Sequence, residues 1–278
     1  MGILDKLVLF PTAGHLPLLG YLIVLMLIFL LPFLGMLIVS TVLSLVFHRR
    51  RPALARDLVR LVVGNPGSWF LLGILPLLAL AFLYTQYLYE TPVEIGTYLL
   101  RVAILGAAGF LLVFLYQRTR RPEPGGLGVL LLFGTAYHLM ACLDLAAYPE
   151  KWPFMAGPLP FLYDIQPVVH FKMFLAVSLA LTGAGIVFLK FKWPESRLRT
   201  AEEDRPLLKT VALGSLLAGA LALPLLLLWD LYTAPMIGLS PRIFVYAALM
   251  VAGVLILALL GLAMLRGNHL RYAWQTFL

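Results

Sequence analysis

Seven long apolar stretches dominate this chain, and short charged segments separate them. The first, 16–47, runs through 32 residues without one charged side chain. The others fall at approximately 69–87, 96–116, 126–144, 169–189, 208–229 and 243–265. About 20 apolar residues carry a helix across the hydrocarbon core of a bilayer. The pattern therefore predicts an all-α integral membrane protein with about seven transmembrane helices in one polytopic domain covering 1–278. The first run is longer than a crossing needs, so it projects or tilts, and Pro32 is expected to kink it.

The basic residues alternate from side to side. Of 21 Lys and Arg, 16 lie in four segments: 49–60, 118–121, 190–209 and 266–271. The alternate segments hold five: Lys6, Arg101, Lys151, Lys172 and Arg242. By the positive-inside rule the first set faces the cytoplasm. That places the amino terminus outside and the carboxyl terminus in the cytoplasm, in a bacterial inner (cytoplasmic) membrane. The inner segments carry a net +10 and the outer ones a net −2. The overall +8 thus reflects topology and anionic lipid, and it gives no reason to invoke nucleic acid.

With 62% hydrophobic and 12% charged residues, the chain is too apolar for an ordinary soluble domain. A single cysteine, Cys142, excludes an internal disulfide and a haem attached through Cys-x-x-Cys-His. The amino-terminal stretch lacks a basic region followed by a small-residue cleavage site, so it is expected to be retained. Lys6 stands where a myristoylation signal needs Ser or Thr.

Two connections have character of their own. In 52–63, Leu54, Leu58, Leu61 and Val62 share one helical face and Arg56 and Arg60 another, which suits a helix lying in the inner interface. The outer connection 148–167 holds five prolines and five aromatics, either an aromatic lid or an interfacial aromatic belt. Small residues cluster at Ala103, Gly106, Ala107 and Gly109, and again at Gly214, Ala218 and Ala222, where close helix packing is expected.

Ionisable groups within the spans are the first candidates for function, because they are costly to place there. His138 sits ~5 Å outward of the middle of its span. Gly134, one turn earlier, leaves room beside the ring. Two readings compete: a haem ligand, or a neutral ring bonded locally through Thr135, Tyr137 or a neighbouring helix. His170 and Met173 lie one turn apart at the start of the fifth span. His/Met is an accepted axial pair for haem iron, and Met173 matches the depth of His138 better than His170 does. His15 precedes the first span, on the outer side.

Asp144 and Asp164 fall near the outer interface, as does Asp230. They suit proton acceptance from a quinol, or the capping and solvation of helix ends. Trp152, Phe154, Phe161 and Tyr163 could wall a quinol pocket; failing that site, the segment around Arg56 and Arg60 is the next candidate. A copper(I) reading would draw on His15, His138, Cys142, His170, Met140, Met155 and Met173. No Walker A, H-E-x-x-H or G-x-S-x-G motif is present, nor a carboxylate cluster within the hydrocarbon.

The opening of the chain, a long first helix and a basic turn followed by LARDLVRLVVGNPGSWF, resembles the start of subunit I of cytochrome bd quinol oxidases and their shorter membrane-cytochrome relatives. The fifth span, VVHFKMFLAVSLALTGAG, is similar to that family's helix with a haem-ligating histidine near the outer face. Aligned on Gly183, the family's histidine position falls near Met173. The histidine that the family carries in its first helix is absent from 16–47, with His15 the nearest candidate for that haem ligand. The family's Gly-Arg-Gln-Pro-Trp motif is absent too. The resemblance implies electron transfer through haem b, and these departures speak against oxygen reduction.

Together these features lead to the expectation of a quinol-dependent membrane subunit of a respiratory complex. It would bind one or more haems b through His138 with Met173 or His170, and no metal beyond haem iron. Electrons would pass between membrane quinol (menaquinone included) and an outer redox partner such as a c-type cytochrome. The alternative is a cofactor-free anchor or a small-solute or copper permease.

Overall fold

A computed structural model describes residues 16–63, 66–88, 95–148, 162, 164–189, 202–233 and 241–266. These residues are overwhelmingly helical and include no strand. The helices are α1 (Leu16–Phe47), α2 (Pro52–Val63), α3 (Pro66–Trp69), α4 (Leu75–Tyr87), α5 (Ile95–Thr119), α6 (Pro122–Ala147), α7 (Ile165–Val187), α8 (Arg205–Thr233) and α9 (Pro241–Arg266). Among the described residues, six helical segments are long and apolar enough to cross a membrane: Pro17–Phe47, Gly67–Tyr87, Ile95–Thr119, Pro122–Ala147, Ile165–Val187 and Arg205–Asp230. The chain is a multi-pass helical membrane protein. In α9, the described apolar stretch Val251–Met264 is shorter.

α1 continues through Pro32. Between α3 and α4 the backbone opens into one π turn, Phe70–Ile74, closed by the Leu75 N–H bonding to the Phe70 carbonyl. Pro76 follows, and a proline ring crowds the carbonyl four residues earlier and brings no N–H to it. A wider turn relieves that crowding. Gly73 within the turn lets two aromatic rings pack against it, since a Cβ there would lie 2.8 Å from the Phe110 ring and 3.1 Å from that of Phe33.

The chain divides into two compact units, Met1–Leu34 with Asn65–Phe171, and Gly35–Gly64 with Lys172–Leu278. In the first, α5 and α6 form a hairpin whose connection turns at Arg120, held at φ 60°. The two helices approach closely along glycines. A Cβ on Gly109 would sit 2.9 Å from Leu132 and 3.2 Å from the Gly128 carbonyl, and one on Gly106 would sit 3.0 Å from Thr135. The small-residue cluster expected on this helix is therefore a packing face.

In the second unit the packing glycines differ from those expected. A Cβ on Gly183 of α7 would meet the Ala212 carbonyl and come within 2.5 Å of the Leu216 nitrogen. One on Gly219 of α8 would meet the Ala176 carbonyl and lie 2.5 Å from the Ala180 nitrogen. The two helices cross with each glycine against the other's backbone. Gly214 and Ala218 are exposed instead, and a Cβ on Gly214 meets nothing within 4 Å. Composition marked the right helix and the wrong face, because small residues occur on both sides of α8.

α2 occupies the expected stretch, but its apolar face is turned into protein. Leu54 and Leu58 are buried in one cluster with Ala184, Val187, Leu208, Leu213 and Met264. Ser44 Oγ donates to the Ala55 carbonyl at 2.5 Å, fastening the end of α1 to α2.

Candidate functional site

Several polar side chains of the first unit lie where α6 ends and α7 begins. Asp144, one turn from the end of α6, is 3% exposed. Its Oδ1 lies 3.9 Å from Nδ1 of His170, in the second turn of α7. Burying a carboxylate is costly without a partner, and an imidazole at this distance offsets that cost whenever it is protonated. The ends of the two helices are tied together nearby. Gln166 Nε2 donates to the Tyr148 hydroxyl at 3.5 Å, and the Tyr137 hydroxyl donates to the Leu162 carbonyl. The Phe171 ring packs edge-on against Tyr137 at 5.5 Å and Phe133 at 5.9 Å.

His138 lies further along α6. Its Nδ1 is 2.6 Å from the Gly134 carbonyl one turn back. A carbonyl can only accept, so Nδ1 carries the proton and, in the neutral ring, Nε2 keeps its lone pair. Thr135 is committed elsewhere, donating to the Leu131 carbonyl at 2.9 Å. The His138 ring sits 5.5 Å from that of Tyr98 and 6.1 Å from that of Tyr137. A Cβ on Gly134 would meet nothing within 4 Å, so the expected room there is present.

Nδ1 of His170 thus lies beyond hydrogen-bond reach of the Asp144 carboxylate, whereas His138 donates Nδ1–H to a backbone carbonyl. The latter arrangement orients a histidine whose Nε2 binds a metal. Tyr84 adds a second mark of fit: it is fully buried, and its hydroxyl has no hydrogen-bond partner. Cys142 on α6 is buried as well. Buried hydroxyls are ordinarily satisfied, so this interior suits a bound group that carries a polar edge. These residues are compatible with haem b, with His138 supplying one ligand. Among the described residues, no three His, Cys, Asp or Glu side chains converge as a metal ion would need. Haem, which asks the protein for two axial ligands, is not subject to that requirement.

Comparison with protein-family models, with curated proteins and with solved structures finds no match. The site therefore rests on its own chemistry.

The remaining expected residues fall as follows. Asp164 Oδ1 accepts the N–H of Ile165 at 2.7 Å, a capping contact on the first residue of α7. Met173 is half-buried and belongs to the second unit, where its neighbour Lys172 places Nζ 4.3 Å from the centre of the Trp229 ring. Met140 and Cys142 are buried on α6. His15, Trp152, Phe154, Met155, Phe161 and Tyr163 lie outside the described residues.

Sequence reasoning missed Tyr84, Gln86 and Gln166, all buried. The signal was available in AFLYTQYLY and DIQPVVH, where polar groups sit within a turn or two of the end of an apolar run. Such residues read as an interfacial belt until their burial is known.

Proposed function

We propose that this chain is a membrane subunit of a respiratory electron-transfer complex in a bacterial inner membrane. It holds haem b in the outer half of its first unit and moves electrons between membrane quinol and a redox partner on the outer side. The observation that carries this reading is the orientation of His138, whose Nδ1–H is held by the Gly134 carbonyl so that the lone pair stays on Nε2.

The two histidines have different tasks in this reading. His138, its tautomer set by the Gly134 carbonyl, would offer Nε2 to haem iron. Haem b, when bound, supplies one-electron exchange that side chains alone do not provide. His170 accepts a proton from a quinol hydroxyl, and the buried Asp144 carboxylate stabilises the imidazolium that results. The aromatic rings of Phe133, Tyr137 and Phe171 provide an apolar flank suited to a quinone ring. Asp164 serves the start of α7.

The visible spectrum of the purified protein tests the reading directly. A Soret band with a redox-sensitive α band that changes on addition of a reduced menaquinol analogue is expected. Protein purified intact with no haem absorbance would overturn it in favour of a cofactor-free anchor or permease.

A further inference from the structure

The face of α2 that the core does not use is cationic. An amphipathic helix ordinarily holds to a bilayer by sinking its apolar stripe among the acyl chains. α2 cannot do so with Leu54 and Leu58, which are buried in protein. Its other face carries Arg56 and the exposed Arg60, one turn apart. Just before the helix, Arg49 and Arg50 are exposed on a turn whose backbone is bonded at both ends, from His48 N–H to the Leu45 carbonyl (3.2 Å) and from Arg51 N–H to the Phe47 carbonyl (2.8 Å).

Two carboxylates nearby are turned into the protein. Asp204 is buried, and its Oδ1 accepts from Arg51 Nη1 at 2.9 Å, tethering the turn to the start of α8. Asp57 is buried on α2. The Arg56 Nε is itself buried without a hydrogen-bond partner. Apolar surface adjoins the cations: Val42 and Val46 are exposed one turn apart on the last turns of α1.

We propose that Arg49, Arg50, Arg56 and Arg60 bind the headgroup phosphate of an anionic phospholipid whose acyl chain lies along Val42 and Val46. Guanidinium groups match phosphate oxygens in pairs and are weakly hydrated, so they suit this ligand better than lysines would. The exposed valines beside the charge select a lipid over soluble phosphate. This site depends only on the chain's residence in a membrane and is independent of the electron-transfer reading.

The test is lipid retention by the full-length protein reconstituted in phosphatidylcholine vesicles with or without phosphatidylglycerol, read by native mass spectrometry after extraction and by thermal melting. Wild type is expected to retain phosphatidylglycerol selectively and to melt higher with it. An Arg49→Gln, Arg50→Gln, Arg60→Gln variant should bind it more weakly by about fivefold per charge removed. An Arg118→Gln, Arg121→Gln variant, which loses basic residues from the first unit, should retain it as wild type does. If the triple variant fails to fold, Arg60→Gln alone is read the same way. Equal retention of the two lipids by wild type, undiminished retention by the variant, or equal stabilisation by inorganic phosphate would each overturn the proposal.

Discussion

His170 Nδ1 faces Asp144 Oδ1 across 3.9 Å, joining the end of one membrane helix to the start of the next. The carboxylate is almost fully buried while the imidazole is about a quarter exposed. A proton arriving from the exposed side thus meets the imidazole first and finds the stabilising charge behind it. This order suits a proton acceptor better than an isolated aspartate at the membrane surface would.

Asp144→Asn is therefore expected to slow quinol-driven haem reduction by about 10²-fold or more, the scale of a lost acid–base group, with the haem spectrum unchanged. Asp164→Asn should leave that rate near wild type, because the amide oxygen still accepts the Ile165 N–H. Stopped-flow reduction by a menaquinol analogue measures both. Equal rates for Asp144→Asn and wild type would remove the acid–base role.

The histidines are separable by spectroscopy. His138→Ala should abolish the haem absorbance while membrane insertion persists. His170→Ala should keep the absorbance and lose quinol reduction. Loss of haem in His170→Ala as well would make His170 a second haem ligand.

Packing in the second unit makes a prediction free of any cofactor. Gly183→Ala and Gly219→Ala each force a methyl group against the backbone of the neighbouring helix. A loss of about 1–3 kcal/mol is expected, as for overpacking generally. Gly214→Ala points its methyl into open space and should be neutral or slightly stabilising through helix propensity. Thermal melting of the three variants in one detergent orders them. A Gly214→Ala loss equal to the other two would contradict the crossing.

Orientation is checked by cysteine labelling in intact cells, with native Cys142, which is buried, as the background. Single cysteines placed in 148–167 should react with an impermeant reagent from outside, and those in 195–204 should not. The opposite pattern would invert the proposed topology.

Much of the helix layout was legible in the sequence because the hydrocarbon core imposes one length on every crossing. The apolar run 16–47 has the same limits as α1, and 52–63 the same limits as α2. Hydropathy cannot say which way a helix faces when all its sides are apolar. That is why Gly214 was expected to pack and Gly219 packs instead, and why the leucines of α2 were assigned to the interface and are buried in protein.

The candidate site follows the same division. His138, His170 and Asp144 stood out by themselves, because ionisable groups are rare in such runs and each has to be accounted for. Their partners did not: the Gly134 carbonyl that sets the His138 tautomer is a backbone atom with no sequence signature, and Asp144 and His170 are separated by 26 positions. Sequence alone determined which residues are polar and roughly how deep each lies, since depth follows from position along a helix of fixed rise. Only the tertiary structure decided which of them meet, because that depends on how α6 and α7 are turned about their own axes.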